Sequence, residues 1–147
     1  MSFSIFVSAF ENEDSYRFPL ATLRQRFSKN IRREERLSLP VRFGDSLIWR
    51  IGFDEGPGES DVYASDGETI DGFSVNRPPD YLEFWEIIAG ILRDLPCALY
   101  WPTTKQAAVM GSLDLLRHLP KNFIEKMGIP FISTDPERIR QYVWDNS

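Results

Sequence analysis

Few residues in this 147-residue sequence could carry acid–base or nucleophilic chemistry. It contains one histidine, His118, and one cysteine, Cys97. A histidine can activate a serine or cysteine nucleophile, but the sequence has no Gly-x-Ser-x-Gly motif and no cysteine-enzyme signature. His118 ends a predicted short helix, where a protonated imidazole would face the terminal carbonyls. We therefore predict a structural role for His118 and no catalytic residue.

The inventory of metal ligands and phosphate-binding motifs is equally sparse. One cysteine and one histidine cannot form a zinc cage. Gly56-Pro57-Gly58 lacks both the Lys-Ser/Thr ending of a P-loop and the strand-to-helix setting of a dinucleotide fingerprint, so we interpret it as a loop. Cys97 lies in an apolar run and is expected to be a buried thiol. The sequence predicts no metal and no cofactor.

Acidic residues form the most distinctive charge pattern, in a chain whose formal net charge is -5. No lysine or arginine lies between Arg50 and Arg77, an interval that we call the acidic segment. An uncompensated negative field can raise association rates with a basic partner by about 10 to 1,000 fold, whereas the alternative is a merely solvated face. The candidate partner-binding residues are Asp54, Glu55, Glu59, Asp61, Asp66, Glu68 and Asp71.

A basic segment precedes Leu37 and could in principle neutralise phosphates. Its cations are Arg17, Arg24, Arg26, Lys29, Arg32, Arg33 and Arg36. The aromatic residues among them, however, fall mostly on a predicted buried stripe, and the net negative charge of the chain opposes nucleic acid. We predict no nucleic-acid partner.

The first half of the chain has the alternation typical of strands around one helix. Residues 3–10 alternate in polarity, and Pro19 fits the first turn of a helix whose apolar stripe continues through Leu20, Leu23, Phe27 and Ile31. Two alternating runs, 37–43 and 47–53, flank a hairpin-sized break. Further runs at 61–64 and 69–75 flank an Asp-Gly turn. These features predict an antiparallel meander.

The second half is dominated by helical spacing. Tyr81, Phe84, Trp85, Ile88, Ile91 and Leu92 recur with helical period after two prolines, which predicts a long amphipathic helix. A short strand is expected at 98–101, a helix capped by Ser112 over 113–119, another over 121–127 ended by Gly128, a strand at 131–133, and a last helix that begins at Asp135-Pro136-Glu137.

Together these elements predict an α+β chain with one domain over residues 1–147, in which amphipathic helices pack an antiparallel meander sheet. The N-terminus lacks the basic start of a signal peptide, and no apolar run approaches the roughly 20 residues of a membrane span. We expect a cytoplasmic protein without a membrane partner. The sequence leaves the oligomeric state open.

Two segments carry a resemblance to known proteins. They are the run 70–79 that leads into the Trp85 helix, and Leu99-Tyr100-Trp101-Pro102 followed by His118-Leu119-Pro120. With residues 3–10, they resemble small bacterial proteins that look like immunity proteins of polymorphic-toxin and type VI secretion systems. The resemblance implies a protein that binds and neutralises a cognate toxin acting in the cytoplasm. It carries over no defined binding residue.

The resemblance and the charge pattern lead to one favoured function and two alternatives. Toxins that act in the cytoplasm include nucleases, whose substrate-binding faces are basic, so an acidic inhibitor could occlude such a face. The first alternative is a small regulatory or adaptor domain with an unrelated partner. The second is a small enzyme that uses His118 and a carboxylate.

Overall fold

The molecule is organised around one long, mostly antiparallel sheet. A computed structural model describes residues 3–38, 45–54, 56–103 and 107–147, with the backbone alone at 56–59. Within these residues the strands are β1 (Ser4–Glu11), β2 (Asp14–Ser15), β3 (Phe18–Pro19), β4 (Ile31–Ser38), β5 (Asp45–Phe53), β6 (Gly56–Ser65), β7 (Thr69–Ile70), β8 (Gly72–Asn76), β9 (Cys97–Tyr100), β10 (Ala108–Met110) and β11 (Phe131–Ile132).

The strand order in the main sheet is β11-β10-β9-β1-β8-β6-β5-β4. Its neighbours are antiparallel except for β10 and β11, which are parallel. The short strand β2 pairs with the end of β1, and β3 pairs with β7 in a separate ribbon. The run β4-β5-β6-β8 is the predicted meander, and the α+β class is confirmed.

The helices are α1 (Leu20–Phe27), α2 (Leu82–Asp94), α3 (Lys121–Met127) and α4 (Pro136–Asn146), with a 3₁₀ helix at Leu113–His118. Their ends follow the predicted signals. The Asp135 carboxylate accepts hydrogen bonds from the backbone N–H groups of Glu137 and Arg138, and the Ser112 hydroxyl accepts from Asp114 N. Gly128, at φ 79°, ends α3 in a conformation that favours glycine.

The main hydrophobic core lies between one side of the sheet and helices α1, α2 and α4. Trp49, Trp85 and Trp101 are fully buried there. Alternate strand residues such as Leu47 and Val62 point into this core, because successive side chains of a strand lie on opposite faces of the sheet. We call this side of the sheet the core face.

A second, smaller cluster covers part of the other side. The 3₁₀ helix and α3 place Leu115, Leu119 and Phe123 against β9 and β10. Phe10, at the end of β1, packs against the same cluster. No buried cluster forms over β4, β5, β6 and β8 on this side among the described residues, so these strands leave one side of the sheet uncovered.

Several elements differ from the sequence-based expectation. The strand predicted at 69–75 is divided into β7, which pairs with β3, and β8, which pairs with β6, and neither β2 nor β3 was predicted. Ile31, predicted to continue the apolar stripe of α1, is instead the first residue of β4. The chain turns just before it, at Asn30, whose buried side chain donates to the Gly52 carbonyl at 3.0 Å. The predicted loop at Gly56-Pro57-Gly58 extends β6 instead. β10 was not predicted, and the part of the predicted 37–43 strand beyond Ser38 lies outside the described residues.

None of the helices in the described parts of the chain combines the length and the apolar character that crossing a membrane requires.

Candidate functional site

The uncovered side of β4, β5, β6, β8 and β1 forms one surface, which we call the open face. Its residues alternate with those that point into the core. They are Arg33, Glu35 and Leu37 on β4; Ser46, Ile48 and Arg50 on β5; Asp61, Tyr63 and Ser65 on β6; Gly72, Ser74 and Asn76 on β8; and Ser4, Phe6 and Ser8 on β1.

A row with apolar and aromatic side chains crosses the middle of the open face. The strand register places Ile48 beside Tyr63, and Phe6 beside Tyr100 of β9. The Phe6 and Tyr100 rings stack with centroids 5.6 Å apart, and the Tyr100 hydroxyl lies 2.9 Å from Ser8 Oγ. These four large side chains are only half-buried in the described structure. They give the face apolar surface that a partner can cover.

A charged row runs beside this apolar row. Arg50 donates from Nε and Nη2 to the two carboxylate oxygens of Asp61, at 2.6 and 3.2 Å. Asp61 is 7% exposed, and the Arg77 guanidinium lies 4.0 Å from it. Arg33 and Glu35, both on β4, also form an ion pair. Charges of both signs on the open face therefore lie in ion pairs.

Arg77 has an uncommon backbone conformation, with φ at 54°. A residue other than glycine at positive φ requires contacts that hold it there. The backbone N–H of Arg77 donates to the Phe3 carbonyl at 2.9 Å, and the Ser60 hydroxyl donates to the Arg77 carbonyl. This geometry places the Arg77 side chain near Asp61, at the end of the charged row.

The open face contains two depressions. A cavity of about 160 Å³ lies over β4, β5 and β6. A wider groove of about 290 Å³ crosses β1, β6 and β8, and its lining includes Phe6, Tyr63, Ser74 and Asp71. Asp71 thus connects the open face to the carboxylates at one end of the sheet.

The structure does not bring the candidates of the acidic segment together. Asp54 follows β5 at one end of the sheet, whereas Asp66 follows β6 at the other end, since β5 and β6 are antiparallel. Asp61 lies between them on the open face. Glu55 is outside the described residues, and so is the Glu59 side chain. The described candidates therefore do not form a single acidic surface.

The segment is also not free of compensating cations, which corrects the interpretation drawn from the sequence. Arg50 neutralises Asp61 across the β5–β6 pair, and Arg36 of β4 pairs with Asp66. Both arginines lie outside the 51–76 interval in sequence and reach it through strand pairing. Glu68 and Asp71 are exposed beyond these pairs.

Further carboxylates lie at the end of the sheet that carries Glu68. Ala9 of β1 lies beside Asp71, to whose carbonyl its N–H donates, and the start of β5 lies beside the end of β6, where Asp66 N donates to the Asp45 carbonyl. Strand ends from distant parts of the sequence thus meet. This group, which we call the acidic end, consists of Glu11, Glu13, Asp14, Asp45, Asp66, Glu68 and Asp71. Sequence analysis missed its first four members.

The basic segment is distributed over α1, β4 and the residues before and between them, and several of its arginines are paired. Arg24 binds Glu34, and Arg26 donates to Asp94 of α2 at 2.7 Å. The Arg24 guanidinium also lies 5.1 Å from the centroid of the buried Trp49 ring. These cations join α1 to β4 and to α2, and they do not line one continuous surface.

His118 binds a backbone turn and does not face helix carbonyls as predicted. Its Nδ1 accepts a hydrogen bond from Asn12 N at 3.0 Å. The His118 carbonyl accepts from Glu13 N at 3.0 Å. Asn12 and Glu13 both have positive φ, at 52° and 68°. The histidine therefore holds the β1–β2 turn, and its neighbouring cavity also contains Glu11 and Tyr16.

Cys97 is buried, as the apolar run indicated, and its Sγ lies 3.7 Å from the Ile91 carbonyl. Burial raises the pKa of the Cys97 thiol to about 12, which keeps it protonated at neutral pH. Among the residues that the structure describes, no group of three His, Cys, Asp or Glu side chains is placed to hold a metal ion.

Comparison with known proteins found no match for this chain among protein-family models, curated protein sequences or solved structures.

Proposed function

We propose that this chain is a protein-binding inhibitor of the immunity class, which protects the bacterial cytoplasm by covering the active or substrate-binding face of a cognate toxin. The open face is the observation that carries the proposal. It presents half-buried aromatic side chains and arginines, residue types that are enriched at the centre of protein interfaces. The resemblance of the chain to immunity proteins supports the same function.

The acidic end supports a toxin with a basic face, such as a nuclease. Asp71 lines the groove that crosses the open face, so a partner seated on the groove would also approach this carboxylate. Complementary charge mainly accelerates encounter and aligns the partners, whereas the apolar row would supply contact area. We propose that Asp66, Glu68 and Asp71 belong to this interface.

The other acidic candidates have different places in the proposal. Asp61 positions Arg50 on the open face and is too buried to supply a long-range field. Asp54 lies at the end of the β5–β6 pair that is opposite the acidic end, and it is not part of the proposed interface. Glu55 and Glu59 stay predictions from sequence.

The proposal is tested by protection of bacteria that express the toxin domain encoded beside this chain. Co-expression of the wild-type chain should restore growth. Ser74→Arg places a long charged side chain in the middle of the open face, and we expect protection to be lost. The matched control is Thr134→Arg, an exposed position after β11 at the far edge of the sheet, which should protect like the wild type.

Two results would reject the proposal. One is failure of the wild-type chain to protect, or to bind the purified toxin domain. The other is full protection by the Ser74→Arg chain, provided that its circular dichroism and thermal unfolding match those of the wild type.

A further inference from the structure

Arg77 combines a strained backbone with a side chain that the fold does not use. Its φ of 54° is uncommon for any residue other than glycine. The next residue is Pro78, and the residue before a proline favours an extended backbone. Glycine or asparagine would adopt a positive φ at lower cost than arginine. The backbone conformation therefore gives no reason for an arginine at this position.

The side chain of Arg77 lies on the open face and not in the core. Val75, two residues earlier on β8, is fully buried in the core, so a regular strand would direct residue 77 to the core face as well. Instead, Arg77 Nη2 lies 4.0 Å from an oxygen of Asp61, which belongs to the open face. The side chain is 47% exposed. The strained residue thus presents a guanidinium to a partner that covers the open face.

Asp61 attracts Arg77 without occupying its donors. Both carboxylate oxygens of Asp61 accept hydrogen bonds from Arg50, at 2.6 and 3.2 Å. A separation of 4.0 Å is too long for a hydrogen bond, so the contact between Arg77 and Asp61 is a charge attraction only. Within the described parts of the chain, the Arg77 guanidinium donates no hydrogen bond. Its N–H groups remain available to an acceptor on another molecule.

The chemistry of these donors selects a carboxylate from a protein partner. A guanidinium offers forked N–H pairs that match the two oxygens of a carboxylate. A cationic side chain would be repelled, and an apolar one would leave the donors without acceptors when water is excluded. Backbone strain that stabilises no contact within the fold is characteristic of functional positions.

We infer that Arg77 is a specificity-determining residue of the open face and binds the carboxylate of one Asp or Glu side chain of the partner protein. The inference rests on the proposed function, since it assigns the acceptor to the protein that covers this face. Arginine is among the residue types that contribute most to binding at the centre of interfaces. The loss of this one contact should therefore be measurable.

The test compares stability and toxin affinity in the Arg77→Gly chain. Glycine accepts a positive φ, so the midpoint of thermal unfolding should equal or exceed that of the wild type. Affinity for the purified toxin domain, measured by calorimetry, should fall by about tenfold or more. Arg77→Lys keeps the charge but loses the forked donors and should also bind more weakly. The matched control is Arg138→Lys, an exposed position on α4 at the other side of the sheet, which should bind like the wild type.

The acceptor is identified by double-mutant cycles between Arg77→Gly and each Asp→Asn or Glu→Gln variant of the toxin domain. One toxin variant should weaken binding of the wild type and have no further effect on Arg77→Gly. Unchanged affinity of Arg77→Gly would overturn the inference, as would a lower thermal midpoint or additive effects in every cycle. Binding of a short single-stranded DNA that Arg77→Gly abolishes would also overturn it, because the acceptor would then be a phosphate. If the wild-type chain does not bind the toxin domain, the proposed function fails and this inference fails with it.

Discussion

Asp61 is the residue on which the charged row of the open face depends. Its two carboxylate oxygens accept hydrogen bonds from Arg50, and Arg77 approaches to 4.0 Å. In Asp61→Asn the amide cannot accept both bonds, and a buried amide group is left beside the guanidinium. We expect the free energy of unfolding to fall by about 1–3 kcal/mol, since hydrogen bonds to charged groups have this magnitude. Urea denaturation would measure the change.

Asp71→Asn is the matched control for this substitution, because the Asp71 side chain is exposed and makes its fold contact through the backbone carbonyl. Its effect should stay within about 0.5 kcal/mol. Equal destabilisation by the two substitutions would contradict the anchoring role of Asp61.

Asp94 gives a prediction about pH at the end of α2. Its pKa is lowered from 3.8 to about 2, first because Arg93 hydrogen bonds to the carboxylate and then because Arg26 does. A carboxyl group with a lowered pKa in the folded state stabilises that state above its ordinary pKa, and this contribution is lost as the pH falls toward 2. An NMR titration of the side-chain carboxyl carbon should therefore find Asp94 still ionised at pH 3.

Arg93→Gln and Arg26→Gln test the cause of this shift. Each removes one guanidinium, and each should move the midpoint of the Asp94 titration upward. An unchanged midpoint in both variants would show that these arginines do not set the pKa.

At the scale of elements, Gly111 fixes how closely the end of β10 approaches α2. A Cβ atom built on Gly111 would lie 2.2 Å from the Leu92 carbonyl oxygen, which is backbone and cannot move by a side-chain rotation. Gly111→Ala must therefore push β10 away from α2. We expect the free energy of unfolding to fall by about 1–3 kcal/mol, the cost of overpacking a close contact. Thermal or urea unfolding would measure it.

Gly67→Ala is the corresponding control. The nearest atom to its added Cβ is the Thr69 carbonyl oxygen at 3.6 Å, an ordinary contact distance. The free energy of unfolding should change by less than about 1 kcal/mol in either direction. A Gly111→Ala chain as stable as the Gly67→Ala chain would contradict the close approach of β10 and α2.

The elements with a strong hydrophobic period were predictable from sequence. The α2 spacing and the alternation of residues 3–10 each bury one face, and both elements were found close to the expected bounds. β4 could not be predicted over its first half, because Arg32 to Arg36 are all charged and an edge strand buries almost none of them. On its core side, β4 is held by hydrogen bonds such as the one that Trp49 Nε1 donates to Glu34. Such bonds leave no hydrophobic period in the sequence.

The open face could be predicted only in part. The alternation within each strand indicated which residues avoid the core, but the pairing of β8 with both β1 and β6 decides which of them become neighbours. The acidic end depends on the same long-range pairing, since it joins the β1–β2 hairpin to Asp45 and Asp66. A linear run of acids in the sequence therefore does not predict how the carboxylates are distributed over the surface.

For the whole molecule, the proposed interface predicts how the placement of negative charge affects the kinetics of binding to the proposed toxin partner. Neutralising four members of the acidic end, in Glu11→Gln, Glu13→Gln, Asp14→Asn and Glu68→Gln, should slow association by about tenfold at low salt. The dependence of the association rate on salt should become flatter, while the dissociation rate changes little. Stopped-flow measurements with the purified toxin domain at several salt concentrations would show this.

A variant with the same change in net charge elsewhere controls for charge alone. Asp54→Asn, Asp80→Asn, Glu86→Gln and Glu125→Gln are exposed substitutions away from the acidic end. They should slow association much less. Equal effects of the two variants would show that only net charge matters and would remove the acidic end from the proposed interface.

The proposed interface can be tested directly by cross-saturation in a mixture of the deuterated, methyl-labelled chain with the unlabelled toxin domain. Ile48 lies on the open face, and Ile87 lies on α2 at the opposite side of the sheet; both are half-buried. Binding through the open face predicts that irradiation of the toxin attenuates the Ile48 methyl signal and leaves the Ile87 signal unchanged. Attenuation of Ile87 with an unaffected Ile48 would contradict it.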